Sequence, residues 1–245
     1  MKNKLFKVRK LPAFFLVFAF ALPLFAQKNE SMKSSSNVFQ PSQSPLVSLR
    51  IQFLTGSIAD PQGKEGAASL TAAMIAQGGS KKLTNKQITE QFNPMATSFG
   101  AQVDKEMTTF VGQTHVDNLA KYYDLISQML LEPGFREDDF SRLKKDSIDF
   151  LKTSLREGND EELGKERLYN IIYAGTGYEN HSFGKISSLE KLTLQDVKDF
   201  YAKNYTQANL VLGVSGGFDQ KFSDRLAADF AKLPKGERMS QKIST

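Results

Sequence analysis

The chain of 245 residues contains no cysteine. That excludes disulfides, thiolate metal sites and a lipid-modified cysteine, and it leaves stability to the core alone. Histidine is nearly absent too: His115 and His181 are the only two. A zinc site built on that pair would need the fold to bring together a strand-end residue and a loop residue. No internal repeat, long low-complexity segment or clustered basic stripe is present. The last absence argues against a nucleic-acid partner, despite a sequence pI near 9.2.

One long apolar run exists, LPAFFLVFAFALPLFA from Leu11 to Ala26, behind a head carrying Lys2, Lys4, Lys7, Arg9 and Lys10. It is short against the ~20 residues of a membrane-spanning helix, and Pro23 breaks it. Residues 1–26 therefore read as a signal peptide, cleaved after Ala26. The expected location is outside the cytoplasm, periplasmic or secreted, with no membrane association after cleavage. Removing five basic residues takes the net charge of +5 to zero. Residues 27–45, rich in Ser, Asn, Gln and Lys, read as a flexible leader. The range 46–235 is expected to fold as one domain, and 236–245 as a tail that looks truncated.

Within the domain, Pro45 to Leu54 alternates apolar and polar side chains, the mark of a half-buried strand. Glu65 to Gln77 has helical spacing and stops at Gly78-Gly79. Thr84 with Gln87 forms a capping box for a second helix. Ala96–Val103 and Met107–His115 predict a hairpin. Helices are expected over 117–131, 138–156, 160–174, 194–204 and 219–233, with a strand over 209–214. The pattern predicts an α+β fold, an antiparallel or mixed sheet covered on one face by helices.

Two further motifs stand in the sequence. Gly213-Val214-Ser215-Gly216-Gly217 fits G-x-S-x-G, but that nucleophile elbow requires a histidine later in the chain, and none follows Ser215. The carboxylates Asp138-Asp139 and Asp160-Glu161-Glu162 stand at helix starts, where negative charge is favoured without any chemistry.

Residues 46–217 resemble the first domain of the insulinase and pitrilysin metallopeptidases. The resemblance lies in ordered landmarks: Phe53 to Ser57, Asp60-Pro61 and Gly63 to Gly66; Phe99-Gly100-Ala101 to Thr109; Met129 to Phe135; Tyr178 to Gly184; and Leu192 to Thr206. Active relatives carry H-x-x-E-H on a helix, two zinc-binding imidazoles and a glutamate base on one face. Anchored on Gly66 and Gly78-Gly79, those positions fall on Ser69, Ala72 and Ala73. The third ligand, a distal glutamate, falls near Phe150, Leu151 or Lys152, beside Asp149. The resemblance thus implies the shape of a zinc-bearing half without its ligands: no catalytic residue and no cofactor, where active relatives hold zinc. It also implies a zinc-bearing homologous subunit or second half-domain as partner, and peptides as what the pair encloses. The alternatives are a scaffold or binding module unrelated to proteolysis, or a residual peptidase using other ligands.

Overall fold

A computed structural model describes residues 37–239. The signal-peptide reading, most of the leader and the end of the tail lie outside that range. Five strands form one sheet in the order β1-β5-β2-β4-β3. Here β1 is Val38–Pro41, β2 Leu46–Phe53, β3 Ser98–Val103, β4 Thr108–His115 and β5 Leu210–Gly216. All pairings are antiparallel except β1 with β5. The fold is α+β with a mixed sheet.

Alternation decides which face is covered. Val47, Leu49, Ile51 and Phe53 of β2 are buried, and register places Val214, Leu212 and Leu210 of β5 beside Leu49, Ile51 and Phe53. Phe110 of β4 stands beside Ile51 on the same face. Arg50, Ser48 and Gln52 point the other way, along with Gln113 and Ser215. A period of two leaves the sheet apolar toward the helices and polar opposite.

The helices are α1 Ala67–Gln77, α2 Asn85–Phe92, α3 Leu119–Leu131, α4 Glu137–Asp149, α5 Asp160–Ile172, α6 Ile186–Leu189, α7 Leu194–Asn204 and α8 Gln220–Phe230. The capping box expected at Thr84 forms with Gln87, and Thr193 makes another with Asp196. Each satisfies two N–H groups that a helix start leaves unpaired. Packed against β3, β4, α3, α4 and α7, α1 is the central helix.

The structure departs from the sequence reading in two places. The expected leader contains β1, whose backbone pairs with Gly213 to Gly216 of β5. Ser42 N–H donates to the Gly216 carbonyl at 2.8 Å, and Asn37 Oδ1 accepts from Leu212 N–H at 3.2 Å. Edge pairing of this kind is satisfied by main-chain groups, so four residues with little apolar pattern can carry it. The helix expected over 138–156 changes character midway: α4 ends at Asp149, and Phe150–Leu155 is a π-helical turn.

Candidate functional site

The chain reaches α1 through a short 3-10 turn, Ser57–Ala59, and then Asp60. Both carboxylate oxygens of Asp60 are used at the helix start: Oδ2 accepts from Gly66 N–H and Oδ1 from Ala68 N–H, each at 2.7 Å. Gly66 precedes the helix with φ 108°, a left-handed geometry that favours glycine. Gly184 packs its backbone on Glu65; a Cβ there would lie 2.1 Å from the Glu65 carbonyl oxygen. Glu65 also accepts from the Ser188 hydroxyl. The start of α1 is thereby locked to the loop 181–188. Its other end is held by Arg136, which donates to the carbonyls of Gly78 at 3.0 Å and Ser80 at 2.6 Å.

On α1 the three positions singled out from the sequence differ in exposure. Ala72 is 1% exposed and Ser69 7%, so both belong to the interior of this domain. Only Ala73 is half-buried and reaches toward the surface. Neither alanine offers a donor atom, and a serine hydroxyl is a poor substitute for the imidazole and carboxylate donors zinc takes. Among the described residues no group of three or more His, Asp or Glu side chains is placed to hold a metal. The residues present do not fit a zinc centre of the H-x-x-E-H kind.

The distal positions lie at the π-helical turn. Leu151 is fully buried, and the ring of Phe150 stacks at 4.6 Å from Phe183 and 6.2 Å from His181. Asp149 turns outward to pair with Lys145 and is half exposed. A π turn inside a helix often marks a functional position. Here an aromatic cluster and a leucine occupy it.

His115 and His181 are not brought together. Lys105, in the turn before β4, donates to the Asn180 carbonyl next to His181, whereas His115 ends β4 and lies 3.2 Å from Asp117. Seven residues of extended strand, about 24 Å, separate the two ends of β4. Ser215 is likewise no nucleophile elbow: it sits within β5, opposite Ser48 and Gln40, and α8 begins only at Gln220. The acidic runs behave as helix starts. Asp139 pairs with Arg142 at 3.1 Å, and Glu161 and Glu162 pair with Lys165 at 2.8 and 2.7 Å.

Sequence reasoning missed the polar ground beside the start of α1. A cavity of about 460 Å3 is lined there by Ser57, Asp60, Glu65, Glu179, Asn180 and His181, among others. Burial pushes the Asp60 carboxyl up to about 7, overcoming the two N–H groups that hold it down; Glu65 adds to the rise. Burial lowers the pKa of His181 against the opposing field of Glu166, and lowers that of Lys105 against Asp60. The scattered sequence positions of these groups hid the cluster: only the turn at 57–60, the hairpin tip and the loop 175–185 together make it.

Comparison with known proteins follows the same lines. The family model for insulinase, peptidase family M16, matches residues 38–185. A protein of Rickettsia bellii described as an uncharacterized zinc protease is 24% identical over 196 residues, covering 78% of this chain and 46% of that one. A Helicobacter pylori protein described as the non-peptidase homolog YmxG is also 24% identical, covering 79% and 44%. The crystal structure of a peptidase M16 inactive domain from Pseudomonas fluorescens superposes with a TM-score of 0.75 at 26% identity, covering 85% of this chain and 52% of that one. The chain spans about half the length of the relatives it matches. By the extent of the family match, the chain belongs to the insulinase family, peptidase family M16.

Proposed function

We propose that this chain is a non-catalytic M16 domain that pairs with a zinc-bearing homologous half and helps enclose peptides. One observation carries the reading: α1 is held at both ends by Asp60, Gly66, Gly184 and Arg136, yet the positions that the resemblance assigns to ligands and base are Ser69, Ala72 and Ala73. The likeness to an inactive M16 domain supports it. Export to the periplasm or the medium belongs to the same proposal. No helix among the described residues is long and apolar enough to cross a membrane.

The test is purification from the native host followed by identification of what co-purifies. The proposal expects a homologous chain with an intact H-x-x-E-H, and metal analysis finding zinc with that chain and well below one equivalent on this one. One tightly held zinc on this chain alone would overturn it. The burial of Ser69 and Ala72 in the domain's own core favours a second reading, a scaffold whose α1 faces no chamber. Co-purification of unrelated proteins only would decide for that.

A further inference from the structure

A second cavity at this end of the molecule, about 330 Å3, lies between α5 and the loop that follows it. Three tyrosine rings line it. Tyr169 and Tyr173 stand one turn apart on α5 with centroids 5.7 Å apart, and Tyr178 follows Tyr173 at the same distance. Successive rings turn by 43° and 40°, so the aromatic wall is not flat. Glu166 lines the same space with its side chain only 10% exposed. Its Oε1 accepts from Arg156 at 3.3 Å; its Oε2 is buried and has no hydrogen-bond partner. A buried carboxylate oxygen without a donor is costly. Beside an aromatic wall, it favours an occupant that is positively charged and apolar in outline.

We infer that this cavity binds an organic cation, an alkylammonium head seated against the tyrosine rings with Glu166 as its counter-ion. Ring faces attract such cations through their quadrupoles, most strongly where water is displaced. The cavity's own cations are already engaged. Lys165 is bridged to Glu161 and Glu162, and Lys105 donates to the Asn180 carbonyl. Burial lowers the pKa of His181, on the same wall. The lining holds three carboxylates, Asp104, Glu162 and Glu166, and two lysines, one of them already bridged to Glu162. None of these residues is Ser69, Ala72 or Ala73. An alkylammonium head reaches such a cavity either as a small free molecule or as a lysine side chain on a peptide.

Isothermal titration of the full chain tests this with three probes: choline, its uncharged isostere with carbon in place of nitrogen, and a capped Ala-Lys-Ala peptide. Saturable binding of choline or of the peptide is expected, and whichever binds tighter identifies the source. The isostere, Glu166→Gln and Tyr173→Leu should each weaken binding about tenfold or more, while Tyr173→Phe, which keeps the ring, should stay within about twofold. If Glu166→Gln fails to fold, the Tyr173 pair carries the comparison alone. The inference is overturned if neither cation saturates, if the isostere binds as tightly as choline, or if folded Glu166→Gln and Tyr173→Leu bind like the parent.

Discussion

Asp60 shows how one side chain can both build and destabilise a helix start. Its two N–H acceptances cap α1, yet burial raises its pKa to about 7. A carboxyl that titrates higher in the folded chain than in the unfolded one keeps its proton better when folded between pH ~4 and ~7. Its contribution is therefore greatest at low pH and falls as pH rises through that window. Relative to Asp60→Asn, the parent should lose stability between pH ~4 and ~7 in denaturant titrations; a flat or opposite difference would show that the carboxyl is not protonated when buried. Gly184→Ala tests the lock on α1. With φ 86° and a Glu65 oxygen at 2.1 Å from any Cβ, the change should cost about 1–3 kcal/mol by the same titration. Ala72→Trp should overpack the core by about 1–3 kcal/mol or more, and Ala73→Trp should cost clearly less. Equal losses would place Ala73 in the core as well and remove the one motif position that reaches the surface.

At the level of elements, the pairing of β1 with β5 is the largest revision to the expected leader. Deleting residues 37–41 strips β5 of its outer partner and removes Phe39, which packs on the core. A loss of about 1–2 kcal/mol follows from burying part of one aromatic side chain, or a few degrees in Tm for a domain of this size. An unchanged Tm would mean that the strand adds nothing. Strands and helices with strong periodicity, such as β2, α3 and α7, were legible in the sequence, as was the cap at Thr84. Short β1 and α6 were not, because four residues are too few for a period to show. The π turn at Phe150–Leu155 was invisible for another reason: Phe150, Leu151 and Leu155 fit an α-helical pattern equally well. Of the candidate site, the positions on α1 could be placed from Gly66 and Gly78. The cavities beside it could not, since their walls come from segments far apart in the chain.

For the whole molecule, the order of strands in the sheet bears on how the chain comes to fold. Central strand β2 is laid down early, but its neighbour β5 begins at Leu210, and β1 must wait for the same partner. During synthesis, β2 can pair only with β4 on one side until nearly the entire described chain has emerged. Contacts between such distant segments make closure slow, because a long loop must be ordered before they form. A nascent chain halted before Leu210 should therefore leave the β2 edge that faces β5 open to amide exchange and the apolar row Val47–Phe53 accessible to a holding chaperone. The sheet is thus completed only once β5 has been made, and any assembly that needs the finished sheet comes after that step.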